Sequence, residues 1–233
     1  MGRNASGLRL DYPGQRYGLL YYSGLMIKIG TADVLNLPGV DKVFVGKRLV
    51  WLSPDKYRKL TGIHFGGQVF YDTGMKLYGS DTLQFSFRAT KACNVLGCYT
   101  SGSAQTNYSL YVSTSSSAKY LRYNGGTYNS YIATNTRYDV TITPTGSSGM
   151  RVDSSWTAKD FESDSDMLIG STSYDATSAK FTGDMFGPVK VIGRAYWEPY
   201  ERVEDGEIIY IDMFTGQEII NVGTGTPTAL GYA

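Results

Sequence analysis

The 233-residue chain carries 22 Lys and Arg against 21 Asp and Glu, and its formal net charge of +1 provides no electrostatic footprint for sequence-independent binding to nucleic acid or to an anionic membrane. Its 20 Tyr and 28 Gly, with abundant Ser and Thr, favour pleated, half-polar strands joined by tight turns and leave little room for helix. The 2 cysteines, Cys93 and Cys98, have no second pair and no histidine at zinc-site spacing, so they are expected as thiols.

In chain order, residues 1–24 mix Gly, Arg and Tyr and read as an arm with one short strand over 17–22, of the kind that orders against a neighbour. The stretch before Asp11 and Pro13 lacks the apolar core of a secretory signal, and no run is long enough to span a bilayer. The expectation is therefore a chain made and folded in a cytoplasm, without membrane insertion. Residues 25–54 predict a β-hairpin module, with an apolar run over 25–30 and a Gly46-Lys47 turn between the runs 40–45 and 48–51. A hairpin this small is marginal alone and has to pack on something.

From Tyr57 onward short apolar runs alternate with turn chemistry at the rhythm of a sandwich or barrel. The predicted strands are 63–65, 69–72, 82–89, 93–99, 108–113, 120–123, 137–143, 149–152, 167–170, 181–192 with a break at Gly187-Pro188, and 208–213. Leu83, Phe85 and Phe87 alternate with Gln84, Ser86 and Arg88, as in a half-buried antiparallel strand. Residues 223–233 have no periodicity and are expected as an unstructured tail.

Three stretches carry a resemblance. Tyr57 to Gly74, ending Asp72-Thr73-Gly74, resembles the opening signature of the concanavalin-A-like (laminin-G-like) jelly rolls of phage and prophage virion structural proteins. The run from Asn135 through Met167-Leu168-Ile169-Gly170 to Phe181–Val191 is similar to that family's central and late strands, and Pro199 to Asp212 to its closing segment. Val43 to Trp51 resembles a short module that precedes such domains in gut-phage proteins. The resemblance implies an all-β fold: a concanavalin-A-like jelly-roll β-sandwich over 55–222, preceded by the arm over 1–24 and the hairpin docking module over 25–54, and followed by the tail over 223–233. It further implies a phage virion structural or appendage protein of tail or head. Such a protein would assemble in the bacterial host cytoplasm as a homo-oligomer with other virion proteins, and bind carbohydrate or a host surface. The alternative is a purely architectural capsid or tail decoration or adaptor protein with no glycan binding.

Candidate chemistry is sparse. Glu204, Asp205 and Glu207 are the nearest carboxylate cluster, but beside Gly206 they read as solvated turn charges rather than as an acid and base flanking a cleft. His64 is the only histidine, so no relay or histidine metal triad is available without it, and an enzyme is not expected. Asp160, Glu162 and Asp164 put oxygens at alternate positions that suit a calcium ion, against the reading of an acidic, solvated connection; no other cofactor is implied. The segment 108–138 interleaves tyrosines with Asn and Arg. Within it Tyr120, Arg122, Tyr123, Asn124, Tyr128 and Tyr131 are the candidate ligand-binding residues, because aromatic faces stack on sugar rings while amides and guanidinium groups satisfy hydroxyls. The same residues suit a protein interface, and equally a sheet face with tyrosine hydroxyls in water.

Overall fold

The computed structural model describes residues 8–10, 21–23, 26–29, 32–33, 41–45, 48–98, 108–112, 120–123, 126–153, 155–174 and 180–233. All regular structure among them is strand. The first six strands are β1 (Leu8–Leu10), β2 (Tyr21–Ser23), β3 (Met26–Ile29), β4 (Ala32–Asp33), β5 (Lys42–Val45) and β6 (Arg48–Leu52). Then come β7 (Tyr57–Gly66), β8 (Tyr71–Tyr78), β9 (Leu83–Ala89), β10 (Cys93–Cys98), β11 (Tyr108–Val112), β12 (Tyr120–Tyr123), β13 (Gly126–Asn129), β14 (Arg137–Thr143) and β15 (Gly146–Ser148). The chain closes with β16 (Glu162–Ile169), β17 (Thr182–Val191), β18 (Ala195–Arg202), β19 (Ile208–Asp212), β20 (Glu218–Ile219) and β21 (Thr228–Tyr232).

Two large antiparallel sheets form a sandwich. The smaller runs β13-β12-β11-β10-β16-β8, and the larger runs β15-β14-β9-β17-β7-β18-β19-β20, with β21 pairing β7. Alternation places the apolar residues between them: Leu83, Phe85, Phe87 and Ala89 from β9 and Val140 and Ile142 from β14 meet Val95, Leu96, Leu121, Met167 and Ile169 of the smaller sheet. Cys93 and Cys98 are buried thiols outside any disulfide, as expected, and burial pushes the Cys93 thiol up to about 11.

Strand β19 shows why one segment can be apolar on both faces. Ile208 and Tyr210 join the core between the sheets, while Ile209 and Ile211 join a second cluster with Phe44 and Leu49. That second cluster is the footprint of the β5–β6 hairpin on the outer face of the larger sheet, and the Leu49 N–H donates to the Met213 carbonyl at 2.8 Å. The hairpin pairs Val45 with Arg48; its Gly46-Lys47 turn lies outside the described residues, as do residues 17–20 of the strand expected in the arm.

The larger sheet bends. Strands β7 and β18 both pair antiparallel with β17, through residues 62–66 and 195–197, yet β18 also pairs antiparallel with β7 through residues 57–59. Three straight strands cannot be mutually antiparallel, so the sheet turns where partners change. The changes fall at Gly62, at Gly187-Pro188, where the β17–β9 register shifts, and at Pro199. Gly62 is required there because a Cβ would stand 2.4 Å from the Met185 carbonyl oxygen.

Four expectations are corrected. Residues 149–152 form no strand, Val152 making only an isolated bridge to Ser130. Glu162 and Asp164 do not lie in a connection, since β16 starts at Glu162, and Asp160 stands just before it. Strand β18 was not expected, because Glu198 and Pro199 interrupt its apolar pattern. Residues 223–233 are not unstructured. Val222 and Gly225 donate to Phe70 and Gln68, Asn221 bridges Tyr71 on the smaller sheet, and β21 then pairs with β7 on the larger, so this segment clasps both sheets. The Asp72-Thr73-Gly74 motif is a kink inside β8: the Asp72 carboxylate accepts the Gly74 N–H at 2.9 Å and the Thr73 hydroxyl donates to the Met167 carbonyl at 2.7 Å.

Candidate functional site

The tyrosine-rich segment divides between core and rim. Tyr123 is only 1 % exposed; its ring stacks on Trp156 at 5.4 Å, and its hydroxyl donates to the Gly79 carbonyl at 2.6 Å. Strand alternation turns Leu121 and Tyr123 inward together, so the expectation that Tyr123 contacts ligand is corrected: it is a core residue. Tyr128 is half-buried against the same Trp156, with ring centroids 5.0 Å apart. Tyr131 is exposed under the Arg151 guanidinium, 4.4 Å from its ring centroid, and a hydrogen bond to Asp153 raises its phenol above the ordinary value. Tyr120 and Arg122 stand on β12 opposite Asn129 and Thr127, and Asn124 lies outside the described residues.

Asp160, Glu162 and Asp164 are exposed, and Glu162 approaches Lys76 at 3.8 Å. Among the described residues no three His, Cys, Asp or Glu side chains gather as a metal site requires, so the calcium expectation has no assembled site there. Two of the three turn carboxylates are drawn onto one cation: Arg202 donates to Asp205 and Glu207 and also to Glu218, which accepts in addition from Lys42 at 3.0 Å and from Tyr57 at 2.5 Å. This network ties the hairpin to the sandwich.

A different surface brings polar groups together. The hairpin roofs the β18–β19 part of the larger sheet's outer face, and the part built by β14, β9, β17 and β7 carries a lateral row. Pairing register sets Thr228, His64, Asp184, Arg88 and Arg137 side by side on β21, β7, β17, β9 and β14. Five strands at about 4.8 Å spacing spread this row over roughly 19 Å. Asp184, 2 % exposed, holds its middle: His64 Nδ1 lies 2.8 Å from Oδ1, and Arg88 Nε donates to Oδ2 at 2.8 Å, with Arg88 Nη2 on the same oxygen. A carboxylate only accepts, so His64 carries its proton on Nδ1 and turns Nε2 away from Asp184.

The next row pairs Asp139, Ser86 and Phe186 in register. Phe186 lies under two cations, with the Arg137 guanidinium 4.6 Å and that of Arg88 5.9 Å from its ring centroid. Asp139 accepts from Ser86 and from Arg137 at 3.1 Å, and these hydrogen bonds hold its carboxyl below the usual value. Beside them Gln84, Ser86, Asp139, Thr141, Pro188 and Lys190 line a depression of about 250 Å³. Donors, acceptors and one half-buried aromatic ring on a rigid sheet suit the recognition of a hydroxyl-rich ligand.

The place of His64 in the row follows only from register. The one local signal was Asp184, a carboxylate inside the otherwise apolar run of β17, which asks for a partner. No known protein family, curated protein or solved structure matches the chain.

Proposed function

We propose that this chain is a phage virion appendage protein whose sandwich, of concanavalin-A-like jelly-roll type, binds carbohydrate on the open part of the larger sheet's outer face. The virion assignment rests on the resemblance of residues 57–74, 135–191 and 199–212 to phage jelly rolls. The glycan reading rests on one observation: the two lateral rows around Phe186, fixed in place by a buried Asp184. Pairing with the buried Asp184 preorganises the half-exposed His64 and Arg88 side chains, which lowers the ordering cost of binding.

The architectural alternative calls for hairpin side chains free to glue neighbouring subunits. Phe44 and Leu49 are instead spent against Tyr200, Ile209 and Ile211 of the same chain, which favours a surface reader. The test is a glycan array probed with the full chain and with Phe186→Ala. Reproducible signals that fall at least tenfold in the variant support the proposal, a loss of about 1.4 kcal/mol. A blank array, or signals indifferent to Phe186, removes it.

A further inference from the structure

Arg88 on β9 and Arg137 on β14 stand directly opposite each other, an arrangement of like charges that ordinarily destabilises a sheet. Their carboxylate partners do not lie between them. Arg88 sends Nε and Nη2 to Asp184 on its far side, and Arg137 sends Nε and Nη2 to Asp139 along its own strand. Among the described residues the Nη1 groups of both guanidiniums have no protein acceptor. Asp184 is buried, with each oxygen already paired, so it is closed to a ligand. With Lys190 on the same face, three cations stand against two carboxylates before His64 is counted. The face therefore offers surplus donors and positive charge beside an aromatic ring.

We infer that the saccharide recognised here is acidic, with its carboxylate set across the Arg88–Arg137 pair and a neighbouring sugar ring on Phe186. This rests on the glycan reading and adds the charge of the ligand. A carboxylate matches planar guanidinium donors, and it relieves the opposition between the two arginines. A neutral sugar satisfies the donors without relieving it.

The experiment measures retention of the full chain on three uronic-acid polymers, polygalacturonate, alginate and hyaluronan. Each is presented with carboxyls intact and after their reduction to alcohols, at about 0.15 M salt so that long-range attraction is screened. Arg137→Gln is the site variant, and its side chain is more than half exposed, so the fold is retained. Arg151→Gln, stacked on Tyr131 away from the face, removes the same charge elsewhere. The expected result is binding to at least one intact polymer, lost on carboxyl reduction, weakened about tenfold by Arg137→Gln and unchanged by Arg151→Gln. Equal binding to the reduced polymer overturns the acidic ligand and leaves the glycan reading standing. Equal weakening by both variants shows unspecific charge attraction and overturns the site. Retention on no polymer of either kind, together with a blank array, overturns both.

Discussion

Two side chains that read alike in sequence behave differently at the scale of single residues. Tyr123 and Tyr131 both sit among tyrosines and asparagines, yet one closes the core and the other lies on the rim. Tyr123→Phe is expected to cost about 1 kcal/mol, since it leaves the buried Gly79 carbonyl unpaired, and Tyr123→Ala about 3–5 kcal/mol through the cavity left beside Trp156. Urea unfolding measures both, and a Tyr123→Ala variant as stable as the parent returns the residue to the surface. Asp184 and Asp139 make a second contrast. Asp184→Asn strips a buried carboxylate from Arg88 and His64 and is expected to cost about 2 kcal/mol, the half-exposure of both partners keeping the loss below that of a fully buried pair. Asp139→Asn, on an exposed carboxylate, is expected to cost under about 0.5 kcal/mol by the same measurement. The reverse order would place the anchor of the row at Asp139.

For the elements, what could be read from sequence depended on whether the cause of a strand is local. β9 and β14 were legible because alternation is written into Leu83–Ala89 and Arg137–Thr143 themselves. β18 was not, because the cation that Glu198 needs comes from far along the chain, Lys59 at 2.8 Å, and joins the hydroxyls of Tyr196 and Tyr200 on its own strand at 2.6 and 3.0 Å. The candidate site was illegible for the same reason, since register alone brings His64, Arg88, Arg137 and Asp184 into one row. The hairpin depends on a similar distant partner. Burial alone would raise the Glu218 carboxyl, but hydrogen bonds from Tyr57, Lys42 and Arg202 outweigh it and hold the group below its ordinary value. A carboxyl depressed in the folded state stabilises above its unfolded value, about 4.3, and that contribution disappears as pH falls through the folded value. Acidification below about pH 4 is therefore expected to loosen the hairpin. The readout is hydrogen-exchange protection of the Leu49 amide, which donates to Met213 across the seam. Glu218→Gln should show the weakened protection already at neutral pH with little further loss on acidification. Protection that tracks pH equally in both proteins would assign the change to another group.

At the scale of the molecule, two clasps among the described residues cross between the sheets. On one side residues 129–131 and 151–153 exchange backbone hydrogen bonds, with Trp156 anchored to the Thr143 carbonyl at 3.1 Å. On the other the C-terminal segment joins the smaller sheet at Tyr71 and the larger at β7, where Ala229 packs on the core and Ile63 is wholly buried. Removing residues 223–233 strips that pairing and bares the β7 edge. At roughly 0.5–1.5 kcal/mol for each of a few backbone hydrogen bonds, the expected loss is about 3 kcal/mol. For a chain of this size that lowers the unfolding midpoint by about 6–12 °C. An unstructured tail would leave the midpoint where it was, so one calorimetric scan of the truncated protein separates the two descriptions. The same variant also tests the site. It removes Thr228 from one end of the row and leaves Asp184, Arg88, Arg137 and Phe186 on strands that do not pair with β21. Saccharide retention well below the truncated protein's midpoint should therefore persist. Its disappearance while the truncated chain is still folded would move the binding surface to the β7–β21 edge.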